Sequence, residues 1–263
     1  MGVIEHPPIF HLPWSWTPDH VTYTWLVMII LGALAFAASR KVSLVPHGVQ
    51  NLMEVVLEQF LTLIDDVMGP EGRRYLPLIA TLGLFIFASN LIGIVPGTTG
   101  PTANLNTTAA CALIVFVAYH AIGIRKQGLG RYLKHFMGPV PALAPLMVPI
   151  ELISHLARPL SLTLRLFGNM VGGHILLAII FFLMGLNGLI GWALSGSPAG
   201  AVVGGLGGVI MIVFTVGFLY PLKLLVALLQ AFIFVMLTML YIAGAIEEAE
   251  HGEHHADHAP AHH

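Results

Sequence analysis

Charge is what this sequence has least of. Only 9% of its 263 residues are Asp, Glu, Lys or Arg, against roughly a quarter in an ordinary soluble domain. With 57% hydrophobic residues, that deficit excludes a soluble globular fold and points to an all-α chain that crosses a bilayer several times. Cysteine is almost absent. Cys111 stands alone, so no internal disulfide can form, and in its apolar run it reads as a small packing residue. No Gly-rich loop followed by Lys and Ser or Thr is present, so the chain has no phosphate cradle and is not itself an ATPase. No spanning run carries two His flanking a Glu, the pattern a zinc peptidase needs. The internal repeats with discontinuous helices that build many secondary transporters are also missing. Nothing calls for a cofactor, a resident metal or nucleic acid. The stretch from Met1 to Asp19 holds no Lys or Arg, which is wrong for the basic start of a cleavable signal.

What is there is a set of long apolar runs. Val21–Ser39 is long enough to span and is followed by Arg40 and Lys41. Tyr75–Val95 and Thr107–Ile124 are the next two spans. Between the first and second lies His47–Met68, where Val49, Leu52, Met53, Val56, Phe60, Leu63, Ile64 and Val67 keep helical spacing. Gln50, Asn51, Glu54, Glu58, Asp65 and Asp66 take the other side, which predicts an amphipathic helix at the membrane surface. Eight of the eleven basic residues fall in the loops around Arg40–Arg74 and Arg125–Lys134. The positive-inside rule then places these loops in the cytoplasm and the N-terminus outside.

The last two runs are unusually long: Leu143–Leu186 has 44 residues and Ala199–Ala245 has 47. As straight helices they would measure roughly 65–70 Å, about twice a bilayer core. Each can fold as a hairpin of two spans or as one long tilted or bent helix, and composition leaves both open. The expected layout is residues 1–20 as an outside segment, 21–246 as one membrane domain, and 247–263 as a disordered, acidic, His-rich cytoplasmic tail.

Polar residues inside the long runs carry the functional signal. Arg165 is central to its run, and a guanidinium stays charged wherever it is placed. Burying it in lipid costs about 3 to over 10 kcal/mol, so a partner must use or compensate its charge. Glu151 and Arg158 precede it at seven-residue steps, each close to two helical turns, and Asn169 lies one turn beyond. His174 follows further on, while Lys223 and Gln230 occupy the second long run, again seven apart. Antiparallel packing of the two runs would bring Gln230 toward the Arg165 level and Lys223 toward His174. Each companion also has a plainer reading. Arg158 can snorkel to the inner interface and Lys223, beside Tyr220, to the outer one. His174 can satisfy a carbonyl at a helix contact, and Glu151 can simply favour a helix start.

The stretch Leu164–Met170, reading LRLFGNM, with Arg158–Ser161 before it, resembles subunit a of the bacterial F-type ATP synthase. Two further blocks fit the same family: Leu229–Phe234 with Leu237, Thr238, Leu240 and Tyr241, and Asn90–Pro96. The match covers the chain from about Leu44 to Ile246. The resemblance implies five membrane-associated helices plus one amphipathic helix on the cytoplasmic side, with the last two long and tilted against a rotating ring. It implies a bacterial plasma-membrane location, with the N-terminus outside and the C-terminus in the cytoplasm. Its expected partners are a ring of small hairpin subunits of the c type, b-type peripheral-stalk subunits and the lipid bilayer.

By position, the resemblance makes Arg165 the arginine that faces each passing ring carboxylate, with Gln230 beside it and Asn169 a polar neighbour. Glu151 falls in the cytoplasmic half-channel, and His174 and Lys223 occupy two interacting positions of the outer one. Arg158, Ser161 and Asn90 complete the implied proton path. Many family members carry Glu and His at the outer pair, whereas this chain has His and Lys.

Overall fold

The computed structural model describes residues 19–40, 42–95, 98, 100–130, 132, 144–184, 188–195 and 197–257, with side chains described to residue 246. Helix α1 spans Asp19–Ser39, and Asp19 lies in its first turn, where a carboxylate complements the helix dipole. Helix α2 spans Val49–Met68 between two glycines of positive φ, Gly48 at 60° and Gly69 at 68°. Both glycines occupy left-handed backbone that stops a helix from extending. A short 3₁₀ turn, Pro70–Tyr75, leads directly into α3, Leu76–Ile92. Helix α4, Leu105–Gln127, carries Arg125 and Lys126 in its last turn, where cations favour the carbonyl end.

The two long runs are continuous helices and neither turns back. Helix α5 spans Ala144–Met184, 41 residues, and keeps Pro149 and Pro159 inside it. At 1.5 Å per residue it extends roughly 60 Å. The short α6, Leu189–Ala193, precedes α7, Pro198–Phe214, whose first turn is capped by the Ser197 hydroxyl accepting from the Gly200 N–H at 3.0 Å. Helix α7 continues through a π-turn at Thr215–Leu219 into α8, Tyr220–Asp257. Pro221 has no N–H to give to the Gly217 carbonyl, and a local widening of the helix accommodates that loss.

Among the described residues, five segments are long and apolar enough to cross a membrane: Asp19–Ser39, Pro70–Ile92, Leu105–Gln127, Pro145–Ala193 and Pro198–Ile246. They coincide with the five runs read from the sequence, and no strand occurs among the described residues. The fold is an all-α polytopic membrane protein. Helix α8 runs on to Asp257. Residues 258–263 lie outside the described residues, as does all of the expected outside segment except Asp19 and His20.

Within this layout the chain gathers into two compact units. One contains residues 28–85, 105–165 and those from 231 onward. Its core is Ile64, Ile79, Tyr119, Val235, Met239, Ile242 and Ile246. The apolar side of α2 packs here through Phe60, Leu63, Val67 and Met68, which fulfils its amphipathic pattern. The Arg73 guanidinium donates twice to the Asp65 carboxylate at 2.7 Å, and the Lys126 ammonium reaches Glu71 at 2.7 Å. The other unit contains residues up to 27, 86–104 and 166–230. Leu177, Ile180 and Leu219 pack together in it. Helices α6 and α7 approach so closely that a Cβ on Gly204 would stand 2.5 Å from the Leu189 carbonyl oxygen. The division falls between Arg165 and Leu166 in α5, and between Gln230 and Ala231 in α8.

Candidate functional site

In the first unit, the early turns of α5 hold Glu151, His155 and Arg158 at steps of four and three, which put them on one helix face. His155 is buried, with 7% of its surface exposed. Its Nε2 lies 3.4 Å from Glu151 Oε1, and its Nδ1 lies 3.0 Å from the Tyr119 hydroxyl of α4. An ionised carboxylate can only accept, so the Nε2 nitrogen carries the proton. Nδ1 then accepts from the Tyr119 O–H. The His120 ring stands 5.3 Å from the His155 ring and 5.9 Å from Tyr132, and its Nδ1 is 2.8 Å from the Phe116 carbonyl. The Arg158 guanidinium lies 5.1 Å from the Tyr241 ring centre and 5.8 Å from that of Tyr119. It sits as a cation over two aromatic faces, an arrangement worth about 0.5–2 kcal/mol at each. Arg158 is half-buried beside these two rings.

Further along α5, Ser161 and Arg165 are exposed. Among the described residues none ion-pairs or hydrogen-bonds with Arg165. The same side of the helix is bare for several turns. Leu164, Ile175 and Ile179 are more than half exposed, and a Cβ added to Gly168 or Gly172 would meet nothing within 4 Å. Arg165 is thus an exposed permanent charge in an apolar helix.

The second unit holds the remaining expected residues. Asn169 donates its side-chain amide to the Gln230 carboxamide oxygen, joining α5 to α8. Gln230 is buried at 4% exposure. Asn90 of α3 is fully buried; it accepts from the Thr102 hydroxyl at 2.8 Å and donates to the Ala227 carbonyl at 3.3 Å. Lys223 lies over Gly173, the neighbour of His174. Its Cε is 3.1 Å and its Nζ 3.7 Å from the place a Cβ at Gly173 would occupy. Both Lys223 Nζ and His174 Nε2 are shielded from solvent and have no hydrogen-bond partner among the described residues.

Among the side chains around Glu151 and Asn90, the sequence does not single out His155, Tyr119, His120, Tyr132 or Thr102. His155 was open to detection, because it stands one helical turn from Glu151. The aromatic partners were not, since only tertiary packing brings Tyr119 to a residue 36 positions away. No group of three or more His, Cys, Asp or Glu able to hold a metal occurs among the described residues.

Comparison with known proteins places the chain in a family. The family model described as ATP synthase A chain matches residues 21–243. A relative from Syntrophotalea carbinolica, ATP synthase subunit a 1, is 51% identical over 230 residues, covering 88% of this chain and 86% of the relative. ATP synthase subunit a from Geobacter sulfurreducens is 46% identical over 236 residues, covering 88% and 89%.

Proposed function

The chain belongs to the ATP synthase A chain family, and from that premise we propose how its residues carry protons. Members are non-catalytic subunits of the membrane sector, and this one is a multi-pass, proton-translocating subunit of an F-type ATP synthase. The finer reading is a stator with two proton half-channels separated by Arg165. It works in a bacterial plasma membrane against a ring of small carboxylate-bearing hairpin subunits, with b-type stalk subunits beside it. The N-terminus lies outside and the C-terminus in the cytoplasm.

The observation that carries this reading is the exposed Arg165 of α5, which has no ion-pair or hydrogen-bond partner among the described residues. Lipid would penalise such a charge heavily, whereas an acidic partner passing that face would need it. A ring carboxylate approaching the guanidinium is held ionised, because a nearby cation favours the charged form. Its proton leaves toward Glu151 and Arg158. On the other side, a proton enters past His174 and Lys223, and Asn169 and Gln230 keep a polar lining near the ring. Asn90 braces that side through its two buried hydrogen bonds, and Ser161 offers a hydroxyl on the face of Arg165. Once neutralised, a ring carboxylate can face lipid and the ring can turn. A fixed cation between two water files also repels protons and prevents a short circuit.

The test is ATP-driven acidification of vesicles carrying the assembled enzyme. Arg165→Ala abolishes pumping while leaving the subunit inserted and assembled. Arg165→Lys also fails, because a flexible ammonium lacks the planar fork and can lose its proton on burial. Wild-type pumping by Arg165→Ala would overturn the assignment.

A further inference from the structure

We propose that His155 is a proton-carrying residue of the cytoplasmic half-channel, handing protons to Glu151 from a ring oriented by Tyr119. This rests on the half-channel reading above and adds to it a residue that the sequence motifs do not reach. The geometry is that of a relay. One ring nitrogen faces a hydroxyl at 3.0 Å and the other faces a carboxylate at 3.4 Å. The ring itself is buried.

The cluster also sits at the right depth. Tyr119 is six residues before Arg125 at the basic end of α4, and Glu151 is seven residues after the start of α5. Both are therefore roughly 10 Å in from that end. Arg165 lies ten residues beyond His155, roughly 15 Å further in. A proton released at the Arg165 level thus meets His155 before it meets Glu151.

The transfer balances without any other reactant. An arriving proton joins the Tyr119 oxygen as the hydroxyl proton passes to His155 Nδ1, and the ring becomes an imidazolium. Its Nε2 proton then moves to Glu151 Oε1. Glu151 releases that proton to cytoplasmic water, and the neutral ring regains its first tautomer when water carries the Nδ1 proton round to Nε2. The groups that face the ring set how readily it charges. Glu151 and Arg158 lie on its own helix. From α4 come Tyr119 and His120, from α8 comes Tyr241, and Tyr132 stands against His120. An imidazole is suited to this task because it changes charge near neutral pH.

The experiment measures passive proton flux through the membrane sector in vesicles stripped of the catalytic sector, as a function of pH on the cytoplasmic side. His155→Gln keeps both contacts, since its carboxamide oxygen accepts from Tyr119 and its amide donates to Glu151, but it cannot carry a proton. Its flux falls at least about tenfold, the low side of what a positioned proton-transfer group contributes. The titration of the wild-type flux also disappears. His120→Gln leaves that titration in place, which separates the two histidines. Wild-type flux and pH profile in His155→Gln would overturn the proposal and make His155 a packing residue. The unmodified complex provides a second check, because a flat profile across the imidazole range would overturn it as well. The half-channel reading fails separately, through Arg165→Ala, whatever His155 does.

Discussion

Replacing Gly172 and Gly173 by alanine, one at a time, separates the two sides of helix α5. In a helix interior Ala is more stable than Gly by about 0.5–1 kcal/mol. At Gly172 the added Cβ meets nothing within 4 Å, so the chain keeps the whole gain. That position is on the open face carrying Arg165 and Gly168, and a methyl group there can collide only with what covers the face. If the ring packs closely on it, overpacking costs about 1–3 kcal/mol in the assembled enzyme alone. At Gly173 the Cβ lands 3.1 Å from Lys223 Cε. The lysine end can shift by a few tenths of an ångström, at about 0.5–1.5 kcal/mol for a distorted rotamer. The gain and the cost nearly cancel, while Lys223 is pushed away from His174. Thermal unfolding of the reconstituted subunit and ATP-driven acidification by the assembled enzyme read the two effects. Gly172→Ala leaves the isolated subunit as stable as wild type or more so, and lowers pumping. Gly173→Ala leaves stability within about 1 kcal/mol of wild type and changes proton entry from the outer side. A Gly172→Ala subunit that is destabilised alone yet pumps normally would refute the reasoning, because the open face would then belong to the chain's own packing.

Other consequences can be measured independently. Asn90→Ala removes a buried acceptor and a buried donor, leaving the Thr102 hydroxyl without its partner; it lowers subunit stability by about 1–3 kcal/mol, seen as a lower melting temperature. Arg73 holds the Asp65 carboxyl below its ordinary value of 3.8, through a hydrogen-bonded ion pair. A depressed carboxyl contributes stability that is present above the unfolded value and is lost as pH falls below 3.8 through the folded one. The effect is small because the pair is solvated, and Arg73→Gln removes that acid dependence from the melting curve. Glu151→Gln slows passive proton flow without abolishing it, since His155 and water remain; an unchanged flux with an unchanged pH profile would make Glu151 a helix-start residue only.

Hydropathy and charge placement made the membrane layout legible because lipid imposes a simple rule on every residue of a span. The amphipathic α2 was equally legible, since its apolar side is the one buried against Ile79, Val235 and Met239. Composition could not decide whether the long runs fold back, because Pro149 and Pro159 permit a break and the helix simply runs through them. Arg165 was visible as the charge with the least excuse for its place. Lys223 and His174 were paired through the antiparallel register of two long helices, and the lysine does lie over Gly173. The aromatic setting of Arg158 and His155 was not visible. It depends on Tyr119 and Tyr241 arriving from two other helices, and no pattern within α5 encodes that.

The most direct test of the central claim is proton leakage with the rotor held still. Vesicles carrying the assembled enzyme, with the ring cross-linked to the static stalk, are given a pH step and the passive flux is recorded. If Arg165 is the barrier between two water-filled half-channels, the wild-type enzyme stays tight and Arg165→Ala leaks protons through a motionless ring. Equal, negligible leakage in both would contradict the account, because removing the cation would then have joined no two paths.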